Sequence, residues 1–254
     1  ASNPTRSWVY NYFVKPEMDG VQSPHIKFIP ALPGDNPYLP EEYIHSLGRL
    51  DIALKNRLLY GNWDFMDEDY QLFSFDRVNQ IFYNEYFVNN DNGDYITVDV
   101  ADLGADRTVI AIWKGWNCVR LEKFKQLETT LVVSKIREYM GLYKVSINNV
   151  IVDSTGVGAG VGSLLKGCIR YMGAERPLNG EKYRNMKSQL MWRFADKVDK
   201  LEVNLNFPYD DGLVQEMLMY KKDFKNELLA VSTKDDVKRS LGRSPDIIDA
   251  LYLR

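Results

Sequence analysis

The chain has 254 residues, of which 45% are hydrophobic and 26% are charged, and its formal net charge is -3. These values are ordinary for a soluble globular protein made of one large domain or of a domain with an appendage. A charge this close to neutral excludes a uniformly basic nucleic-acid binder, because overall charge will not attract phosphates. The two cysteines and two histidines exclude a disulfide framework, a zinc set and a histidine metal cage, and they favour a reducing, cytoplasmic setting.

Residues 1–90 are predicted to form an extension without a core of its own. This part is rich in aromatic residues, Pro and Asn, and PGDNP at residues 33–37 is a strong loop signal. One helix is predicted from Pro40, where PEEYIHSLGRLDIALKNRLL places apolar residues at helical spacing. The pattern around Asp76–Tyr83 does not decide whether a second, shorter helix is present.

Residues 91–254 have the pattern of a separate domain that begins with strands. Tyr95–Ala101, Thr108–Lys114 and Cys118–Gln126 alternate like strands and are joined by short turns, which predicts a meander. Glu128–Leu142 has helical spacing, and Asn148–Asp153 (NNVIVD) is a short apolar run typical of a buried strand.

The rest of this domain is predicted to be mainly helical. The Gly-rich turn TGVGAGVG leads into a helix through Ile169, and further helices are expected at Glu181–Leu201, near Asp211–Tyr220 and from Ser244 onward. Val203–Phe207 and Leu228–Ser232 are expected to be extended. The predicted fold class is therefore α/β, a mixed sheet flanked by helices, with a site at the strand ends.

Four aspartates are candidates for one metal site. Asp99 lies near the end of the first strand, Asp153 ends NNVIVD, and Asp246 and Asp249 lie in the first turn of the last helix. Crowded carboxylates repel one another unless divalent cations compensate them, and oxygen ligands without His or Cys suit Mg²⁺ or Mn²⁺. Two such ions about 3.5–4 Å apart would activate a water and stabilise the leaving oxygen of a phosphodiester.

Each acid also has a purely structural alternative. An Asp after a strand is often a turn former, Asp246 would serve equally as a helix cap, and Asp249 would complement the helix dipole. Asp106, on the turn into the second strand, is either an additional metal contact, direct or through water, or a plain turn residue.

Four motifs occur in the order found in large terminase subunits of tailed bacteriophages. They are VDVADLGADRTVIAIW, VIVDSTGVGAGV, NMKSQLMWRFADKV and KDDVKRSLGRSPDIIDALYL, and the resemblance covers essentially all of residues 94–254. It implies an RNase H-like nuclease domain in which acids at three motif positions bind two Mg²⁺ or Mn²⁺ ions and cut double-stranded DNA. On this sequence the acids are Asp99, which would bridge the ions, Asp153, and either Asp246 or Asp249.

The extension resembles the same family. ASNPTRSWVYNYF is similar to the segment that follows the catalytic part of the packaging ATPase, and NPYLPEEYIHSLGRLDIALKNRLLYGNWDF is similar to the connector after it. No G-x-x-x-x-G-K-[ST] motif occurs, so the chain is not expected to hydrolyse ATP by itself. The resemblance implies double-stranded DNA, a small terminase subunit, the portal protein and the ATPase half as partners, in the host cytoplasm and without a membrane.

Basic residues near the third and fourth motifs are candidates for DNA contacts. Lys234 matches a lysine common at its place in the family and would hold a phosphate or the transition-state charge. Arg184 and Lys187 are candidates on the predicted Glu181–Leu201 helix, although a solvated face is the ordinary meaning of such charges. The turn GVGAGVG is interpreted first as close helix-to-strand packing and second as a phosphate contact.

Two other functions fit parts of the pattern. An actin-like or sugar-kinase-like ATP-binding protein shares this strand order, but it needs a second domain and a nucleotide-binding Gly motif. A non-catalytic DNA-gripping scaffold of a packaging motor would carry the same acids as surface charge.

Overall fold

The computed structural model describes residues 9–48, 55, 58–61, 63, 71–82, 84–85, 87–89, 91, 93–101, 104, 106–225 and 227–254. The chain forms two compact units, Ala1–Asp69 and Tyr70–Arg254. The boundary lies before the predicted one at residue 90, because Leu72, Phe73 and Val78 are buried in the core of the second unit. No helix in the described ranges has the length and apolar character needed to cross a bilayer.

The first unit contains short helices separated by loops. A π-helical turn at Tyr10–Val14 leads into α1 (Lys15–Met18), and α2 (Glu41–Gly48) follows after a 3-10 turn at Pro33–Asp35. The helix predicted from Pro40 thus begins as expected. Its predicted continuation through residues 50 and 54 lies outside the described residues.

The second unit is built on a six-stranded mixed sheet. Its strands are β1 (Asp94–Asp99), β2 (Arg107–Lys114), β3 (Asn117–Lys125), β4 (Val150–Asp153), β5 (Ile169–Tyr171) and β6 (Asn204–Leu205). The order is β5-β4-β1-β2-β3-β6. The first three strands form the predicted antiparallel meander, and β4 adds to β1 in parallel.

Seven α-helices, two 3-10 turns (Ile147–Asn149 and Leu178–Gly180) and a hairpin are described in this unit. The helices are α3 (Phe75–Gln80), α4 (Thr129–Tyr143), α5 (Gly158–Leu164), α6 (Met186–Asp199), α7 (Asp211–Met219), α8 (Lys234–Leu241) and α9 (Asp246–Leu251). The hairpin consists of β7 (Lys222–Lys225) and β8 (Leu228–Val231).

Each face of the sheet carries its own core. On one face, apolar residues of β1, β2 and β4 pack against α4 and α5. On the other face, residues such as Val109, Ala111 and Trp113 of β2 pack against α3, α6, α7 and α9. The α/β prediction of a mixed sheet flanked by helices is confirmed.

Several local predictions were wrong. Ile169 begins β5 instead of continuing the glycine-rich helix, which ends at Leu164. The helix predicted from Glu181 begins at Met186, because the Asn185 side chain accepts the N–H of Ser188 and caps it there. Helix α8 was not predicted, and its polar sequence KDDVKRSL buries only Val237.

Candidate active site

Asp99 and Asp153 lie side by side where two parallel strands end. Val98 of β1 pairs with Val152 of β4, so the next residue in each strand is an aspartate at the same sheet edge. Asp99 is buried, with 6% of its surface exposed. Asp153 is partly exposed, and its Oδ1 accepts the N–H of Thr155 at 2.9 Å.

Both aspartates point to the face of the sheet that α9 covers. Side chains alternate along a strand, so neighbours in sequence face opposite sides. Val98 and Val152 lie in the core under α4 and α5. Asp99 and Asp153 therefore face the other side, where α9 packs against β1 and β2.

Helix α9 carries two further buried acids to this edge. Asp246 is 5% exposed and Asp249 is 2% exposed. The backbone N–H of Arg107, the first residue of β2, donates to Oδ2 of Asp246 at 2.8 Å. This bond fixes the start of α9 against the sheet, and Asp249 follows one helical turn later.

Glu216 of α7 holds the first turn of α9 from the other side. Its Oε2 accepts the N–H groups of Ile247 at 2.8 Å and of Ile248 at 3.0 Å. Arg243 pairs with the other carboxylate oxygen. Burial raises the pKa of Glu216 to about 7 in spite of Arg243 and the two N–H donors, which lower it. This carboxylate satisfies helix N–H groups that would otherwise lack partners.

Lys234 joins Asp99 to Asp249. It occupies the first turn of α8, which begins where the Thr233 hydroxyl accepts the N–H of Asp236. The Lys234 Nζ lies 2.7 Å from Oδ2 of Asp249 and 3.7 Å from Oδ2 of Asp99. One ammonium therefore lies between two buried carboxylates from opposite ends of the domain sequence.

Lys187 and Tyr220 contact the other oxygen of Asp249. The Lys187 Nζ donates to Oδ1 at 3.1 Å, and the Tyr220 hydroxyl donates to the same oxygen at 3.2 Å. Lys187 and Tyr220 also contact each other, with Nζ 3.1 Å from the hydroxyl. Behind them the hydroxyls of Tyr171 and Tyr252 lie 3.3 Å apart in the core.

The two central carboxyls have opposite pKa shifts. Burial raises the pKa of Asp99 to about 8, Lys234 lowers it, and Asp249, Asp153 and Asp246 raise it further. Burial also acts on Asp249, but Lys187 and Lys234 outweigh it and hold the pKa of that carboxyl below its usual value. Asp249 is thus ionised at neutral pH without a metal, whereas Asp99 is largely protonated.

The donor set fits a hard divalent cation in its chemistry. The site offers carboxylate oxygens alone, the ligands that Mg²⁺ and Mn²⁺ prefer. Within the described ranges, no three His, Cys, Asp or Glu side chains are arranged closely enough to hold a metal ion. Lys234 stands between Asp99 and Asp249, so an ion shared by these two acids requires its ammonium to move.

The overall arrangement is similar to solved nuclease domains. The nuclease domain of the large terminase subunit gp2 of bacterial virus Sf6 matches with a TM-score of 0.63 and 17% identity, over 72% of this chain and 97% of that chain. Structures of a variant of that domain, one with calcium and one with manganese and beta-thujaplicinol, each match with a TM-score of 0.63, 16% identity and the same coverage. The chain has the fold of a terminase nuclease domain. No protein-family model and no curated protein matches the sequence.

Within this terminase nuclease fold, the other predicted site residues lie apart from the central acids. Asp106 pairs with Lys238 at 3.2 Å and lines a small pocket beside Asp246. Arg184 is exposed, and its backbone N–H donates to the carbonyl of Leu229 in β8 at 2.8 Å. Of the three basic residues predicted to contact DNA, Arg184 alone is solvent-facing and not engaged with the acids.

Lys187 differs from its predicted surroundings. The sequence interpretation placed it on a DNA-facing surface, whereas the structure leaves its side chain only 18% exposed and paired with Asp249. The reason is the position of α6, whose start packs against the tyrosines behind α9. Lys187 thus belongs to the carboxylate cluster in this arrangement.

The glycine-rich turn has a packing role at Gly158. A Cβ at this position would overlap the carbonyl oxygen of Asp153. Only a glycine lets α5 start this close to the end of β4, in line with the preferred interpretation of close packing.

Sequence reasoning missed Glu216 and Tyr220. Glu216 had a detectable signal, since it is the one acid inside the apolar stretch LVQEMLM of α7, and an acid on a buried helix face requires partners. Tyr220 had none, because a tyrosine after a helix is common and its contact with Asp249 depends on tertiary packing.

Proposed function

We propose that this domain is a divalent-metal-dependent endonuclease that cuts double-stranded concatemeric DNA during viral genome packaging. The observation that carries the proposal is that Asp99 and Asp249 contact the same ammonium, that of Lys234. Asp153 lies next to Asp99 in the adjacent strand. The fold, shared with the Sf6 nuclease domain, supports the same class of reaction. Fold alone does not fix chemistry, so the acids carry the argument.

Asp99, Asp153 and Asp249 are the proposed metal ligands. Bound Mg²⁺ or Mn²⁺, as two ions, would activate a water and stabilise the leaving oxygen of the phosphodiester. Asp99 would serve as the shared ligand, because it lies beside Asp153 in the adjacent strand and shares the Lys234 ammonium with Asp249. Asp249 is favoured over Asp246, since Oδ2 of Asp246 accepts the Arg107 N–H while Oδ2 of Asp249 faces Lys234.

Lys234 is also proposed to contact the DNA once a metal ion is bound. Its side chain is 41% exposed, so its ammonium can leave the carboxylates when a cation takes over their charge. From the first turn of α8 it would then reach a DNA phosphate and stabilise negative charge that develops there. Arg184 is proposed to contact the DNA backbone away from the acids, and Asp106 to support the site beside Asp246.

The biological setting is proposed from the sequence resemblance. The DNA would be delivered by a packaging motor with a small terminase subunit and a portal protein, in the host cytoplasm. Residues 1–90 are proposed as the end of the ATPase part and its connector, although Leu72, Phe73 and Val78 near the end of this range pack in the core of the second unit. Duplex contacts would be mostly to the backbone, so the cutting position would be chosen by partners.

Plasmid cleavage tests the proposal directly. The chain is incubated with supercoiled plasmid in Mg²⁺ or Mn²⁺, alongside Asp99→Asn, Asp249→Asn and the exposed-site control Asp196→Asn. Nicking and linearisation by the parent and the control, and none by the two site variants, are expected. Normal cutting by folded Asp99→Asn would refute the assignment.

Two binding measurements separate the rival functions. Calorimetric binding of ATP would favour the kinase-like alternative. A DNA-gripping scaffold would bind duplex equally with and without Mg²⁺ and would gain no thermal stability from Mn²⁺, whereas the proposed nuclease gains stability by mass action.

A further inference from the structure

Lys187 is a largely buried lysine whose ammonium contacts one carboxylate oxygen, Oδ1 of Asp249. Its Nζ lies 5.3 Å from the ring centre of Tyr220 and 5.6 Å from that of Tyr252, in addition to its bonds to Asp249 and to the Tyr220 hydroxyl. An ammonium this buried is costly unless it is paired and hydrogen-bonded. Its surroundings supply both an anion and aromatic faces.

The backbone and stem of Lys187 are also held in place. Its N–H donates to the carbonyl of Gly173 at 3.0 Å. A Cβ at Gly173 would lie 2.9 Å from the Tyr171 hydroxyl and 3.3 Å from the Lys187 Cβ, so this approach leaves no spare space. The N-cap of α6 two residues earlier, Asn185, fixes the start of the helix.

The two oxygens of Asp249 consequently have different surroundings. Oδ1 accepts from Lys187 at 3.1 Å and from Tyr220 at 3.2 Å, both on the core side. Oδ2 lies 2.7 Å from the Nζ of Lys234, on the side of Asp99. The carboxylate plane is thereby fixed by two donors that do not contact Asp99.

We infer that Lys187 is a positioning residue: together with the Tyr220 hydroxyl it holds Oδ1 of Asp249 inward, so that Oδ2 alone is presented to a metal ion. The inference rests on the proposed metal site. It assigns Asp249 as a ligand through a single oxygen, with a fixed orientation. Donors behind a ligating carboxylate commonly control its orientation and metal affinity.

Electrostatics alone would give the opposite effect on metal affinity. A lysine near a cation site repels the cation, so its removal should tighten metal binding if charge were its only contribution. If Lys187 positions Asp249, its removal frees the carboxylate to rotate and weakens binding. The sign of the change therefore distinguishes positioning from simple repulsion.

Mn²⁺ titration calorimetry on the full 254-residue chain provides the test. The variants are Lys187→Met, Tyr220→Phe and the control Lys200→Met, which removes an exposed lysine at the end of the same helix. Lys187→Met is expected to bind Mn²⁺ at least about tenfold more weakly. Tyr220→Phe should change affinity in the same direction by a smaller factor, and Lys200→Met should match the parent.

Each outcome has a defined meaning. Unchanged or tighter Mn²⁺ binding by folded Lys187→Met overturns the inference. If that variant loses its thermal unfolding transition, Tyr220→Phe decides, and parental affinity in it overturns the inference as well. A parent that binds no Mn²⁺ would instead refute the proposed function, so the two failures are distinguishable.

Discussion

Asp99 and Asp249 share the ammonium of Lys234, although the two acids lie on the first strand and the last helix of the domain. The Nζ is 3.7 Å from the Asp99 Oδ2 and 2.7 Å from the Asp249 Oδ2. This contact concentrates three ionisable groups at the edge of the sheet, where burial makes their mutual effects large. Its expected effects on stability and on metal binding are measurable without DNA.

The raised pKa of Asp99 makes the metal-free protein less stable at high pH. Its folded pKa, about 8, lies above the ordinary value of 3.8. The folded state therefore binds more protons between these values, and stability falls as pH rises through that window. We expect the stability advantage of Asp99→Asn over the parent to be on the order of 4 kcal/mol larger at pH 9 than at pH 5.

Urea unfolding at both pH values in EDTA measures this difference. Asp249 and Lys234 do not titrate in the window, because Asp249 has a lowered pKa and Lys234 a raised one. Glu216, whose pKa is about 7, titrates there in the parent and in the variant alike. Asp196→Asn, at an exposed helix position, serves as the control. Equal pH dependence in the parent and in Asp99→Asn would contradict the prediction.

Mn²⁺ affinity should increase with pH and level off above about 8, the pKa of Asp99. Below that value a metal must displace the proton from this carboxyl, so binding releases a proton. Calorimetry in two buffers with different ionisation enthalpies measures the number of protons released. No proton release at pH 7 would contradict the combination of a protonated Asp99 in the metal-free protein and Asp99 as a ligand.

Lys234→Met should bind Mn²⁺ more tightly than the parent at pH 8.5 and cut DNA more slowly. Its ammonium competes with a cation for Asp99 and Asp249, and its removal favours metal binding by roughly tenfold. Cleavage should fall because the same cation is proposed to stabilise phosphate charge. Arg239→Met, on the exposed side of α8, should change neither quantity. Weaker Mn²⁺ binding by Lys234→Met would contradict the proposed competition.

Glu216→Ala should destabilise the domain by roughly 3 kcal/mol. The substitution leaves Arg243 without its partner and the first N–H groups of α9 unsatisfied. Urea unfolding gives the difference, with Glu138→Ala on the exposed side of α4 as the control. A loss no larger than in that control would show that α9 is held in place without Glu216.

Gly158→Ala should cost about 2 kcal/mol and reduce cleavage, because the new methyl group displaces the end of β4, where Asp153 lies. Gly160→Ala, in the same helix, is the matched control, since its nearest neighbour would be Thr129 at an ordinary 3.4 Å. Thermal unfolding and plasmid cleavage are compared for both variants. Equal thermal stability and equal cleavage in Gly158→Ala and Gly160→Ala would contradict the packing role of Gly158.

The strands and their terminal acids were predictable from local patterns. The alternating segment Tyr95–Ala101 has an aspartate near its end, and the apolar run NNVIVD ends on one. The end of a strand fixes which sheet edge the side chain occupies. The proline of SPDIID likewise indicated the start of α9. These signals are local, so a single sequence contains them.

The partners of the acids were not predictable in the same way. Lys187 looks like a solvated helix charge in sequence, and Lys234 was singled out by the family resemblance as a phosphate contact. Only the docking of α6 and α8 places both lysines on Asp249. The same limit applies to β5, whose IRY is too short for a periodic pattern. Tertiary packing determines the contacts of such residues, and a single sequence does not reveal that packing.

The ammonium of Lys234 gives the acids a counter-charge of their own, so we expect the domain to remain folded without an external ion. Chelation should therefore switch off cleavage reversibly while the domain keeps its shape, and a returning ion would find Asp249 already ionised. The proposed nuclease would therefore be stored inactive and started by ion supply alone.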